Sequence, residues 1–296
     1  MKNETAKGHL SSFITILIWG TTFISTKILL ADFAPVEILF CRFLLGWLAL
    51  FIVCPKRLKV RDKKEELTYV FAGLCGICLY YLLENIALTY TMASNVGVII
   101  SAAPFFTAIL SQLFMKGEER LKPNFFIGFL VAMVGICLIS FNGAALAFNP
   151  IGDILAMIAA LVWAVYSLLT RKISSYGYNT IQATRRIFTY GILFMLPALS
   201  FFEFHLEIGQ FADVRYFLNF VFQGLGASAL CFVTWNYAVK ILGAVKTSVY
   251  YMVSVITIVT SAIVLHEKIT AASVIGTVLT LAGLLISEGK MAWLKT

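Results

Sequence analysis

Charge is scarce in this sequence. Of its 296 residues only 13% are Asp, Glu, Lys or Arg, against roughly 25% in a soluble domain. The shortage runs along the whole length, and 60% of the residues are apolar, so one greasy core in a soluble fold does not account for it. Histidine is nearly missing too: His9, His205 and His266 are widely separated, and no H-E-x-x-H pair can be built from them. No G-x-x-x-x-G-K-[ST] loop occurs. Gly243-Ala-Val-Lys-Thr-Ser248 has only the tail of one, without a second glycine before the lysine, which excludes an ATP-driven pump of that design. No metal-ligand cluster, cofactor fingerprint or catalytic constellation stands out. The expectation is a non-enzyme with no cofactor and no metal. Cysteines are few and lie in or at the ends of apolar runs. Cys75-Gly-Ile-Cys78 has the spacing of a redox or zinc site, but no further ligand is near it, so the pair reads as small core residues.

What is present is oil in long stretches. Ten apolar runs cover 10–30, 36–54, 67–88, 92–115, 124–141, 151–172, 180–202, 214–237, 242–265 and 271–288. About 20 such residues cross a bilayer as a helix, and only helices or closed barrels satisfy their backbone in lipid. The runs are twice a barrel strand's length and do not alternate, so the fold class predicted is an all-α integral membrane protein with ten transmembrane helices. The first run is too long for a cleaved leader, and Lys27 and Leu29 stand where small residues would be needed. It is read as the first span.

The +8 net charge does not indicate nucleic acid, because the basic residues follow the topology. Lys2 and Lys7, the 55–66 loop, the 116–123 loop, Arg171 and Lys172, Lys240 and Lys246, and Lys290 and Lys295 all fall on one side. The other side receives Arg215 and Lys268. Cytoplasmic loops carry such an excess, so both termini are predicted to be cytoplasmic in a multi-pass protein of the cell membrane.

The chain also repeats itself. Ile18-Trp19-Gly20, Lys27 and Arg42 match Val162-Trp163-Ala164, Arg171 and Arg186 at an offset of 144. Gly73 and Asn85 match Gly224 and Asn236 at 151, and Glu119, Gly128 and Gly135 match Glu267, Gly276 and Gly283 at 148. Five spans per copy is an odd number, so the second copy enters the membrane from the opposite side. The prediction is two inverted five-helix repeats, 1–145 and 146–296. Secondary transporters use this plan, with a binding site near the midplane around which the halves rock.

Trp19-Gly20-x-x-Phe23 with Lys27, then Pro35 and Arg42, form one ordered set of motifs. Ala87-Leu88-x-Tyr90-Thr91-x-Ala93-Ser94, Pro104 and Gly117-Glu118 continue it. Together they resemble the EamA type of the drug/metabolite transporter superfamily. Ala238 and Glu267 repeat the pattern more loosely, with Val255 where the family often has proline. The resemblance covers nearly the whole chain. It implies a secondary transporter, commonly an exporter of amino acids or other small metabolites, working by alternating access. It does not name the substrate. A channel or a non-transporting membrane scaffold is the alternative, but no filter-like loop or ring of charge is visible.

Glu84 is the acidic residue clearly inside a span, since Asp32 and Asp153 sit at span ends. A charge at that depth costs about 2.5–3.5 kcal/mol on insertion scales and tends to face a partner or a wet cavity. Ile77, Tyr81, Glu84, Asn85 and Leu88 share one helix face by the i, i+3, i+4 rule, which reads as the wall of a substrate cavity. There Glu84 can bind a substrate amine or carry a coupling proton; a second reading has it pairing near the outer surface. Arg42 and Arg186, each about 9 Å deep, either bind a substrate carboxylate or pair with Glu84, or else reach headgroups or cap helix ends together with Arg185. Lys27 reads as a gating or interfacial charge. Trp19, Trp163, Tyr166, Trp235 and Tyr250 can stack on a flat substrate or simply fill the core. Trp47 and Trp293 read as interfacial anchors. Pro104 is expected to bend its span. Gly128, Ala132 and Gly135 with Gly276 and Gly283 allow close helix approach, which serves packing within the chain or a homodimer. The partners expected are thus a small-molecule substrate, the lipid bilayer and, on the second reading of the glycines, another copy.

Overall fold

The computed structural model describes residues 2–115, 123–140, 150–202, 204–205, 207–248, 253–267 and 269–287. Among them the chain is helical, without strands. The long helices are α1 (Lys2–Leu29), α2 (Pro35–Val53), α3 (Lys63–Tyr90), α4 (Ala93–Phe114), α5 (Pro123–Ser140), α6 (Pro150–Ser175), α7 (Thr180–Phe201), α8 (Val214–Leu242), α9 (Val253–Val264) and α10 (Ala271–Ser287). Six of them, α1 to α4 with α6 and α8, are long and apolar enough to cross a bilayer, and α5 and α10 are shorter apolar helices.

Local chemistry sets the helix starts. Asp62 accepts from the Glu65 amide at 2.8 Å ahead of α3. Asn179 accepts from the amides of Ile181 and Gln182 ahead of α7, and Asp213 from that of Arg215 ahead of α8. These side chains satisfy amides that a helix start leaves open. Pro35 opens α2, where its missing N–H costs nothing, and Glu37 reaches back to the Ala34 amide at 2.7 Å. Pro104 lies just after an interruption of its span: α4 breaks at Ser101 and Ala102 and restarts at Ala103, because proline cannot donate to the carbonyl four residues back. Two helices change pitch. A π turn runs over Leu74–Leu79 in α3 and another over Phe222–Leu230 in α8. Their last residues are the same position of the two sequence repeats, 151 apart.

The outer surface is apolar. Ile52, Phe114 and Phe201 are 77%, 76% and 83% exposed, and they belong to a broad belt of exposed Leu, Ile, Val and Phe of a kind that water-soluble monomers do not carry. Inside, α1 lies along α8 and α3 along α6. α1 also packs on α9 and α4 on α6, α2 meets α7 and α8, α3 meets α7, and α4 meets α9. α5 pairs with α10, where Gly128 and Gly283 bring the two backbones together. These glycines are therefore used within the chain.

Polar contacts gather at two ends. At the basic end, Tyr237 donates to Glu4 at 2.8 Å, Arg171 to the Lys240 carbonyl at 3.4 Å and Arg61 to the Tyr176 carbonyl at 3.3 Å. At the opposite end, Tyr216 donates to the Asp32 carboxylate, the His205 amide to Glu37 at 2.9 Å, and the Ala93 amide to Glu267 at 2.9 Å.

Candidate functional site

Between the two ends, α1, α2, α3, α6, α7 and α8 enclose a buried cluster of rings. Trp19 lies 5.2 Å, centroid to centroid, from both Trp163 and Trp235. Its indole N–H donates to the Ala227 carbonyl at 2.9 Å, inside the π turn of α8. Trp163 continues to Tyr166 at 4.9 Å and to Tyr80 at 4.7 Å. Phe43 of α2 touches Tyr81 at 5.0 Å and Phe188 at 5.1 Å, and Phe188 reaches Phe232 of α8 at 5.1 Å. Four of the aromatic residues expected at the site, Trp19, Trp163, Tyr166 and Trp235, are thus brought together with Tyr81, ring on ring. The structure does not describe Tyr250 or Trp293. Trp47 stacks on Phe51 at 5.5 Å, and its indole donates to Thr189 at 2.9 Å.

At the edge of the rings sits a charged pair. Arg42 is fully buried, so its guanidinium does not extend to headgroups. It lies over the faces of Tyr81, at 4.4 Å, and Phe43, at 5.2 Å, a placement that suits a cation. Its Nε donates to Ser228 Oγ at 3.1 Å, while Nη1 and Nη2 are buried and have no hydrogen-bond partner. Glu84, on α3, is 1% exposed. Tyr80 hydrogen-bonds to it, the Arg42 charge acts on it, and its Oε1 has no hydrogen-bond partner. No hydrogen bond runs from the guanidinium Nη atoms to the Glu84 carboxyl group. Asn85, next in the chain, donates to the Pro35 carbonyl at 3.1 Å and ties α3 to the start of α2.

A cavity opens on the far side of the rings, toward the basic end. It is a small cleft, and Thr170, Ser174, Tyr178, Thr180, Asn236 and Lys240 are among the residues lining it. Asn236 forms its inner wall, accepting from the Tyr166 hydroxyl at 3.0 Å and donating to Thr184 at 2.9 Å. One line of contacts then leads inward, from Asn236 through Tyr166, Trp163 and Tyr80 to Glu84. At the mouth, Tyr178 donates to Glu65 at 2.6 Å, and the acceptor carboxylate holds this phenol above its ordinary value.

The other expected charges lie apart from this pair. Lys27 donates to the carbonyls of Leu88 and Thr91, holding the end of α3. Arg186 pairs with Glu66, donating through Nε at 3.0 Å, and also binds the Leu58 carbonyl at 3.0 Å. Arg185 holds the carbonyls of Cys54 and Lys56, past the end of α2. Arg42 and Arg186 match in the repeat, yet one faces the ring cluster and the other a loop. The sequence reading passed over Tyr80, Phe232 and Ser228. The repeat offers a signal for one of them, since Phe232 is the counterpart of Tyr81 at offset 151. Tyr80 stands four residues before Glu84 on one helix, a spacing that places the two on one face, whereas Ser228 gives no signal, because its role arises from a contact between the halves.

Comparison with known proteins agrees with this architecture. The profile of the EamA-like transporter family matches residues 6–141 and again 150–288. An uncharacterized transporter of Archaeoglobus fulgidus is 30% identical over 96% of this chain and 98% of its own. A probable terminal-alkyne amino-acid exporter of Streptantibioticus cattleyicolor is 24% identical, over 92% and 90%. A crystal structure 20% identical in sequence superposes with a TM-score of 0.69, covering 98% of this chain and 99% of the other, and so shares the fold. With a family match on each half and apolar helices that can span a bilayer, this chain is a multi-pass membrane protein belonging to the EamA-like transporter family.

Proposed function

We propose that the protein is a secondary transporter that exports small metabolites across the cell membrane by alternating access. Its ten helices act as two inverted five-helix units, 1–145 and 146–296, with both termini in the cytoplasm. The reading rests most on the packing pattern. Exchanging α1–α5 with α6–α10 in order turns the α1–α8 contact into α6–α3, α1–α9 into α6–α4, and α2–α8 into α7–α3. It leaves α2–α7, α4–α9 and α5–α10 as they are. A set of contacts that survives this exchange is what a two-fold axis between the units produces. An odd number of spans per unit puts that axis in the membrane plane. Two such units can trade conformations, which turns a cavity open at one end into a cavity open at the other. The cavity at Asn236 and Lys240 supplies one mouth. The rings of Trp19, Trp163, Trp235 and Tyr166 are the barrier that must part, and Arg42, Tyr81, Glu84 and Asn85 line the ligand site behind it. Lys27 and Arg186, which brace opposite ends, are the charges expected to let go in the cycle.

Purified protein in proteoliposomes tests this. A carrier gives saturable uptake of a labelled metabolite and counterflow when the same compound is preloaded inside. Flux that neither saturates nor exchanges would refute the carrier in favour of a channel, and no flux across a broad metabolite panel would leave a scaffold.

A further inference from the structure

We infer that the segment from Lys56 to Lys64 is a docking surface for anionic phospholipid headgroups, a fixed strip of cations set where the lipid phosphates lie. The inference stands apart from the carrier reading, since a channel or a scaffold with this surface would bind the same lipids. It needs only that the chain spans the bilayer.

The first observation is charge. Lys56, Arg57, Lys59, Lys63 and Lys64 are exposed, and their side chains make no hydrogen bond or ion pair among the described residues. Arg61 is exposed too, but it turns back over the Tyr178 ring and onto the Tyr176 carbonyl. The nearby carboxylates are taken up by protein donors. Asp62 holds the Glu65 amide, Glu65 accepts from the Arg61 amide at 3.0 Å and from Tyr178, and Glu66 accepts from Arg186 and Tyr190. What remains outward is cationic. Setting the topology requires only that cations be numerous on one side; it does not require the carboxylates to be drawn inward. The second observation is that the backbone is held. Arg185 donates to the carbonyls of Cys54 and Lys56, Arg186 donates to that of Leu58 at 3.0 Å, and the Leu58 side chain is buried in the core. Docking therefore orders side chains and little backbone, which lowers its entropic cost. The third is the border of the strip. Phe51, Ile52 and Val53 end α2 just before it and are exposed. On α3, Lys64, Leu67 and Phe71 share one exposed face at i, i+3, i+7 spacing. Apolar residues that meet lipid tails thus run up to the cations from both sides, which sets the charged tips at the level of the phosphates. A nucleic acid or an acidic peptide would suit the charge but not this border. The loop at the matching place in the second half, 202–213, has no lysine or arginine, so the surface is not a by-product of the repeat.

Native mass spectrometry of the full chain purified in detergent tests this. The protein is titrated with phosphatidylglycerol, with phosphatidylcholine of the same acyl chains, and with glycerol 3-phosphate, an anion of headgroup type without tails. A lysine or arginine near an anionic lipid surface contributes about fivefold in binding. Where two or three cations meet one headgroup, wild type should therefore prefer phosphatidylglycerol over phosphatidylcholine by roughly twenty- to a hundredfold. Glycerol 3-phosphate should bind far more weakly, and raising the ionic strength about tenfold should remove most of the preference. Combining Lys56→Gln, Arg57→Gln and Lys59→Gln should weaken phosphatidylglycerol binding by at least about tenfold and leave phosphatidylcholine unchanged. Combining Lys7→Gln, Lys172→Gln and Lys246→Gln removes the same charge from exposed positions elsewhere at the basic end and should leave the preference in place. If wild type does not prefer phosphatidylglycerol, or the two triple variants weaken it equally, the inference is overturned. Equal binding of glycerol 3-phosphate and the lipid would overturn it in favour of a site for free anions. Should the first triple variant not fold, the wild-type preference and its salt dependence still decide. None of these outcomes bears on the carrier reading, which the proteoliposome assay tests separately.

Discussion

Replacing Gly283 by alanine probes the contact that closes the far side of the bundle. A Cβ there would stand 2.4 Å from the Gly128 carbonyl oxygen and 2.6 Å from the Ala132 amide nitrogen. Both are backbone atoms, so no side chain can swing aside, and α10 must withdraw from α5 by about 1 Å. A gap of that size forfeits roughly a quarter to a half of each dispersion contact along the face. Overpacking of this kind costs about 1–3 kcal/mol, and the rigid neighbours argue for the upper end, near ~3. Alanine returns about 1 kcal/mol through its better helix propensity. The net loss is then about 2 kcal/mol, a fall in Tm of roughly 4–8 °C at the 2–4 °C per kcal/mol of mid-sized domains. Gly226→Ala is the control, because its Cβ would meet only the Phe222 ring at 3.7 Å, an ordinary contact. Thermal unfolding of both variants in detergent decides: equal stability of Gly283→Ala, Gly226→Ala and wild type would refute the argument. If Gly283→Ala instead dissociated a dimer without lowering monomer stability, the glycines would serve assembly rather than the fold.

Two further predictions address the ends of the molecule. Glu267 accepts from the amides of Ala93 and Ser94 and from the Ser94 hydroxyl at 2.7 Å, at the start of α4; Glu267→Gln should cost about 1 kcal/mol and speed amide exchange at Ala93 and Ser94, and unaltered exchange there would remove Glu267 as the cap. In a background with the native cysteines replaced, Lys59→Cys and Asp213→Cys should be labelled from opposite faces by an impermeant maleimide, Asp213→Cys in intact cells and Lys59→Cys after permeabilisation; labelling of both from one face would end the topology proposed above.

Some of the candidate site was legible one residue at a time. Glu84 stood out because a lone carboxylate in an apolar run has a cost that nothing nearby offsets. The tryptophans of spans 1, 6 and 8 stood out because they lie inside spans, and the structure brings all three together. Arg42 was harder. From sequence its depth allowed a long stem to reach headgroups, and only the packing of α2 against α3 and α8 turns the guanidinium inward over Tyr81 and onto Ser228. Arg186 sits at the matching repeat position, but the 55–66 loop captures it through Glu66 and Leu58. Repeat position therefore does not fix a role, because the groups within reach come from the other half.

The sequence by itself determined the solvent this chain needs, the helical state of its spans, most helix starts, the break just before Pro104 and the gathering of basic residues at one end. Each follows from a local cost: an unsatisfied amide in lipid, a missing N–H, a charge too expensive to bury. Only the tertiary structure decided which side chains share the centre, that the glycines of α5 and α10 meet within one chain, and that Arg42 and Glu84 are both buried there with no hydrogen bond from the Arg42 Nη atoms to the carboxyl group. Those depend on distances between residues far apart in the chain, such as the 186 positions between Arg42 and Ser228, and no local preference encodes them.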